Sequence, residues 1–159
     1  MSALLQAHCE RLKAEVGTER TERLGTIRHR DIARFAVASH VPPPPPPGPR
    51  DATAHPLFLS SVMGWGDGPA ESELDADGTA ASDTRGIPLG GVRLMGAGQD
   101  LEFHNPVRAG VSVVVHTSLD DVQLKHGRSG SLLLLRIRRR FTDEAGTPLV
   151  TCHESFIAR

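Results

Sequence analysis

From Val92 onward, apolar and polar residues alternate along the chain with a period of two. Val111, Val113, Val115, Thr117 and Leu119 interleave with Ser112, Val114, His116 and Ser118. Leu133, Leu135, Ile137 and Phe141 interleave with Leu134, Arg136, Arg138 and Arg140. Val150, Cys152 and Phe156 interleave with Thr151, His153 and Ser155. Successive side chains of a strand point to opposite faces, so this pattern predicts three long strands, each with one face on a core. Lys125 to Gly130 and Asp143 to Gly146 have turn composition and predict hairpins between them. A fourth strand is predicted over Asp100 to Phe103.

The first half follows a different period. Leu5, Cys9, Leu12 and Val16 recur at helical spacing, which predicts an amphipathic helix over 3–16 with Ser2 as N-cap and Gly17 as the stop. Glu19 to Ile27 reads as a short strand. Asp31 is placed to cap a second helix whose Ile32, Phe35 and Ala36 share a face. That helix must end before Pro42 to Pro47, because a residue preceding proline is driven out of the helical region. The proline run predicts a polyproline II bridge over 41–50; with Arg50 as its one flanking basic residue, a spacer fits better than an SH3-type ligand. Leu57 to Trp65 is unbroken and apolar, with Leu57, Phe58, Ser61 and Val62 on one helical face. Residues 66–88 are small and polar and read as a long excursion. Helices followed by an antiparallel sheet make an α+β class, a sheet covering a helix, in one domain over 1–159.

Composition narrows the function. Five Phe, one Trp and no Tyr argue against stacking on nucleic-acid bases as the main activity. A net charge of −1 without a dense basic face argues against phosphate-backbone binding, so no nucleic-acid partner is expected. Arg136, Arg138, Arg139 and Arg140 read as the solvated face and end of a strand. Cys9 and Cys152 form no CxxC pair and are expected as reduced thiols. No basic leader precedes an apolar run, and no run nears the roughly 20 apolar residues of a membrane span. The expectation is a cytoplasmic protein with no membrane partner.

Several motif resemblances fail on context. His29-Arg30-Asp31 mimics a kinase catalytic loop, but Ala36 stands where the metal-holding asparagine is needed. The glycines at 64–68 and 96–98 do not open a helix after a strand, as a dinucleotide fold requires. No HExxH is present, and no metal site is expected. One acid–base pair remains, Asp51 and His55, which could share proton transfers if both reached one substrate. Alternatively Asp51 is solvated in a loop and His55 caps or packs at the helix that follows.

The segment from Leu94 to Arg159 resembles the MaoC-like hydratase/dehydratase family, in particular the N-terminal, FAS1-like dehydratase type of hotdog domain in double-hotdog members. The points of similarity are Gly98-Gln99, Phe103-His104-Asn105-Pro106-Val107, Gly110, the Gly127-Arg128-Ser129-Gly130 turn, and Asp143, Gly146, Val150 and Ile157. They extend back to Asp31 to Ala36 and His55 to Leu59. The resemblance implies a hotdog fold, a sheet wrapped around a central helix running from Leu57 to about Gly64. It also implies action on acyl thioesters of coenzyme A or acyl carrier protein, with no cofactor. Such chemistry adds or removes water next to the thioester. It needs a carboxylate and a histidine near the α and β carbons, and a backbone N–H to polarise the carbonyl.

In active members those side chains lie in an Asp-x-Asn-Pro-x-His segment. Here the chain reads Ser39-His40-Val41 and then proline, and the motif is absent. The resemblance therefore implies a catalytically silent subunit that shapes an acyl pocket for a second hotdog subunit carrying Asp-x-Asn-Pro-x-His. Leu57, Phe58, Val62, Met63, Trp65, Gly98 and Gln99 are the expected substrate-binding residues, plain core packing being equally compatible with the pattern for the first five, and the polar excursion from Asp67 to Arg85 either covers the pocket mouth or stays disordered. Two rivals stay open. One is a homodimeric dehydratase, thioesterase or cyclase using Asp51 with His55 or His40. The other is a non-enzymatic acyl-thioester binding module.

Overall fold

The structure is a computed structural model and describes residues 2–42, 52–61, 70–74, 87, 89–127 and 130–159. In chain order the elements are α1 (Ser2–Lys13), β1 (Glu19–Thr26), α2 (His29–Ala38), α3 (Phe58–Ser61), a single 3-10 turn (Glu71–Glu73), β2 (Leu94–Phe103), β3 (Ser112–Gly127), β4 (Gly130–Asp143) and β5 (Pro148–Ala158). The strands form one sheet in the order β1-β3-β4-β5-β2, every neighbouring pair antiparallel. This is the α+β hotdog arrangement that the resemblance implies.

The period-two segments become β3, β4 and β5, as predicted. β2 is longer than its expected Asp100–Phe103, because its glycines still pair with β5 around a bulge between Gly96 and Gly98. Gly98 takes φ +155 with open space where a Cβ would project, so its requirement is conformational rather than steric. The alternation in β3 changes phase at a second bulge between Leu119 and Asp121. Val113, Val115 and Leu119 are buried before it and Val122 after it.

The helix boundaries also differ from expectation. α1 contains Ser2 rather than being capped by it, and Val16 lies past the helix end, 40% exposed. Gly17 closes the turn in the left-handed region at φ +81, its N–H donated to the Leu119 carbonyl at 2.9 Å. α2 is preceded by Arg28, not Asp31, which sits in the first turn where a carboxylate favours the helix dipole. The common face expected at 57–62 does not form: Phe58, Leu59 and Ser60 are buried, whereas Leu57 and Ser61 are exposed. The remainder of the expected central helix, most of the proline bridge and most of the polar excursion lie outside the described residues.

One face of the sheet carries two apolar clusters side by side. In the first, Ile32 of α2 and Phe58 and Leu59 of α3 pack on Val113, Val115, Phe141, Val150 and Cys152. In the second, Leu5, Cys9 and Leu12 of α1 pack with Leu119, Val122, Leu133, Leu135, Ile137 and Ala158. A fully buried side chain of this size contributes about 1.5–3 kcal/mol relative to exposure, so both clusters matter to stability. The sheet is thus covered at one end by α1 and at the other by α2 and α3. Among the described residues no helix is long and apolar enough to cross a membrane.

Candidate functional site

The boundary between the two clusters is polar. On β4 the inward positions run Leu133, Leu135, Ile137, Arg139 and Phe141, and Arg139 is only 3% exposed. The expectation that Arg139 belongs to the solvated face is corrected: Arg136 is exposed and Arg138 and Arg140 are half-buried outside, but strand parity turns Arg139 inward. Its guanidinium lies over the Phe141 ring, 4.9 Å from the centroid, an arrangement in which the ring face attracts the cation. On β5 the inward positions run Val150, Cys152, Glu154, Phe156 and Ala158, and Glu154 is also buried, 5% exposed. Arg139 pairs in register with Cys152, and Ile137 pairs with Glu154. The two charged residues are therefore diagonal neighbours on one face of the sheet.

β2 continues this seam to the sheet edge. Gln99 pairs with Glu154 in register. Its side-chain N–H group donates to the Glu154 carboxylate at 3.4 Å and to Cys152 Sγ at 3.1 Å. Beside them an open cleft of about 550 Å³ lies between α3 and strands β2 and β5. It is lined by Ser60, Ser61, Gly96, Gly98, Gln99, Glu154, Ser155 and Phe156. Ser60 is buried and donates its hydroxyl to the Leu57 carbonyl at 3.2 Å. A smaller groove of about 370 Å³ lies at the other end of β2, lined by Thr53, Ala54, Pro56, Phe103, His104, Asn105, Pro106, Val107 and Val150.

The expected substrate-binding residues separate. Gly98 and Gln99 line the larger cleft. Phe58 is buried in the first cluster, edge-on to Phe35 with centroids 5.6 Å apart, and Leu57 is 40% exposed. Val62, Met63 and Trp65 lie outside the described residues, as does Asp51. The sequence reading missed Glu154, Ser60, Ser61, Ser155 and Phe156. A usable signal existed for Glu154: in the alternation of β5 a carboxylate occupies an inward position between Cys152 and Phe156.

Both candidate histidines occupy helix ends. His55 is half-buried; its Nδ1 accepts the Leu57 N–H at 3.1 Å, and its ring packs on Phe35 with centroids 5.7 Å apart. This is the capping and packing role left open above. His40 is exposed at φ +56 just past α2. Its N–H bonds the Val37 carbonyl at 3.2 Å, and the Val41 N–H bonds the Ala36 carbonyl at 2.9 Å. These are the two closing bonds of a Schellman motif, with histidine at the position more often held by glycine. No cluster of three or more His, Cys, Asp or Glu suited to a metal occurs among the described residues.

The outer face of the sheet carries a separate charged group. Glu19 of β1 meets Arg140 Nη2 at 2.9 Å and His116 Nδ1 at 3.2 Å. The hydrogen bond from Arg140 holds the Glu19 carboxyl below the usual carboxylate range, helped by the charges of Arg140 and His116 against a smaller cost of burial. This group is partly exposed and lies on the face opposite the cleft.

Comparison with known proteins agrees with this architecture. No curated protein sequence matches the chain. Among solved structures, the ChsH1-ChsH2 complex from Mycobacterium tuberculosis is similar, with TM-score 0.68, 13% identity, and coverage of 99% of this chain and 92% of that one. The R-hydratase PhaJ1 from Pseudomonas aeruginosa is similar with TM-score 0.56 and 20% identity, covering 91% and 81%. The HadBC (3R-hydroxyacyl-ACP dehydratase) complex from the same Mycobacterium is similar with TM-score 0.59 and 15% identity, covering 87% and 95%. At these identities the likeness is one of fold. The sequence profile of the FAS1-like dehydratase domain region matches residues 14–152. The chain belongs to that family, a hotdog domain related to the MaoC-like hydratases and dehydratases.

Proposed function

We propose that this chain is the pocket-shaping subunit of an enoyl-thioester hydratase or 3-hydroxyacyl-thioester dehydratase, with the acid–base pair supplied by a partner hotdog subunit. The observation that carries this reading is the edge strand β2. Among the described residues it ends the sheet, and eight of its ten residues are exposed. A long strand edge with unpaired backbone groups pairs with another chain unless it is blocked. Neither proline nor lysine interrupts this one; its edge devices are the bulge at Gly96–Gly98 and the exposed carboxylates Asp100 and Glu102, and exposed Met95 and Phe103 flank its glycines. Both cavities open along the same edge, so a strand added there would wall the cleft and seat Phe103 together.

The chemistry points the same way. Water addition next to a thioester requires a positioned carboxylate and histidine. The Asp-x-Asn-Pro-x-His segment is absent, and His55 and His40 serve helix ends. Two of the similar structures are complexes of two different named components, ChsH1-ChsH2 and HadBC, and the name of the second includes a 3R-hydroxyacyl-ACP dehydratase. On this reading the substrate is an acyl thioester of coenzyme A or acyl carrier protein, and the assembly works in the cytoplasm.

The test is size-exclusion chromatography of the chain alone and mixed with a short hotdog protein carrying the intact motif and encoded beside it, with an enoyl-thioester hydration assay on each peak. The expected result is no turnover by the chain alone and activity in a co-eluting complex. Turnover by the isolated chain that disappears in His55→Ala would overturn the reading in favour of a homodimeric enzyme. Tight acyl-thioester binding without turnover in any assembly would instead mark a binding module.

A further inference from the structure

Resting on that reading, we infer that the partner subunit adds an edge strand bearing basic side chains on the outer face of the joined sheet, opposite Asp100 and Glu102. The same two carboxylates keep two copies of this chain from pairing with each other. The bulge between Gly96 and Gly98 leaves Gln99 to Phe103 as the regular part of β2. Gln99, Leu101 and Phe103 pair with the inward residues Glu154, Cys152 and Val150 of β5, whereas Asp100 and Glu102 pair with the outward residues His153 and Thr151. Both outward positions are therefore acidic, and both are exposed. Among the described residues their one ion-pair contact is His153 Nε2, 3.9 Å from Glu102. The outer-face arginines further in have carboxylates of their own: Arg138 lies 3.5 Å from Asp120, and Arg140 lies 2.9 Å from Glu19.

Strand parity fixes what a second copy would meet at this edge. A two-fold axis that keeps both sets of helices on one side of the joined sheet adds β2 antiparallel to itself. Full overlap of the regular segment then sets Leu101 against its own counterpart and Asp100 against Glu102 on each side of the axis. A slip of two residues sets Asp100 against Asp100 in one direction and Glu102 against Glu102 in the other. A slip of one residue exchanges the faces and turns Leu101 and Phe103 against charged neighbours. Like charges directly opposite one another destabilise a strand pair, and opposite charges stabilise it. The backbone edge is open to a strand, but charge selects which one: lysine or arginine facing Asp100 and Glu102, with apolar side chains inward beside Leu101 and Phe103.

The experiment needs only this chain and a charge-reversed copy, Asp100→Lys with Glu102→Lys, which offers the basic strand that the wild type selects. Sedimentation velocity in low salt is measured on each alone and on their mixture, with one of the two labelled. The mixed pair is expected to form at least about tenfold more tightly than either self-pair, because two cross-strand contacts change from repulsion to attraction. That advantage should shrink in about 0.5 M salt, where exposed charges are screened. A neutral copy, Asp100→Asn with Glu102→Gln, should self-associate more tightly than the wild type. Substitution at these exposed positions costs little stability, and circular dichroism checks each fold. Reversal of Glu10 on α1 and Glu22 on β1 (Glu10→Lys with Glu22→Lys) changes net charge equally at exposed sites away from β2 and should bring no gain. A wild type that pairs with itself as tightly as with the reversed copy, or an equal gain from the distant reversal, would overturn the inference. The pocket-subunit reading is decided separately, by whether the isolated chain turns over an enoyl thioester.

Discussion

The imidazole Nδ1 of His55 accepts the backbone N–H of Leu57 at 3.1 Å, so this histidine closes the first turn of α3. Replacing such a cap by alanine costs about 0.5–2 kcal/mol. His55→Ala is therefore expected to lower the melting temperature by roughly 2–4 °C per kcal/mol lost, and His55→Asn, which retains an acceptor, by less. In the proposed complex with a catalytic partner, neither variant should abolish the chemical step. A melting curve and a single-turnover assay on the complex check both parts.

Phe103 is 53% exposed at the end of the free edge strand and lines the smaller groove. A lysine there places a charge where the proposed partner must dock, at little cost to a chain that leaves the position solvated. Phe103→Lys should eliminate co-elution with the partner while changing the stability of the isolated chain by no more than about 0.5 kcal/mol. Retained co-elution would move the interface away from β2.

Arg139 is buried with its guanidinium over Phe141. Lysine keeps the charge but loses the planar group that stacks and distributes hydrogen bonds, so the exchange is not conservative at this site. Arg139→Lys should lose about 1 kcal/mol or more, measured by denaturant titration with an unchanged m-value. A loss within error would show that the position tolerates any long cation.

Glu19 links pH to stability. Its folded value lies below the ordinary one, chiefly through the Arg140 hydrogen bond. A lowered carboxylate value gives stability that is fully present above the unfolded value, about 4.3 for glutamate, and is lost as pH falls through the folded value. Glu19 is partly exposed, so the effect is small and screened by salt. Arg140→Gln should flatten this acid-side loss, seen as wild-type and variant melting temperatures converging below about pH 4 in low salt.

The strands illustrate what local pattern conveys. Alternation over 111–119, 133–141 and 150–156 marks β3, β4 and β5 because a half-buried strand must present one parity to the core. Asp143 to Gly146 marks a turn because its side chain and backbone satisfy the next amides: the Asp143 carboxylate accepts the Thr147 N–H at 2.7 Å, and its carbonyl accepts the Gly146 N–H at 3.0 Å. The end of α2 was equally legible, although its closing device, His40 in the left-handed region, was not.

Strand parity turns Arg139 and Glu154 inward whereas charge favours solvent, and local sequence offers no means to resolve such a conflict. The phase change in β3 came from a bulge that depends on its pairing with β4. The family resemblance singled out Gly98 and Gln99, but nothing local joins Gln99 to Glu154, 55 residues later.

By itself, then, the sequence determined the α+β class, the three long strands, the amphipathic helices and the absence of the acid–base segment, since each is written in local spacing and residue type. Only the tertiary structure decided that β2 lies on the edge beside β5, that two apolar clusters meet along a charged seam, and that the seam opens into a cleft. Those features depend on which strands become neighbours, and strand order is set by the packing of the whole chain rather than by any segment of it.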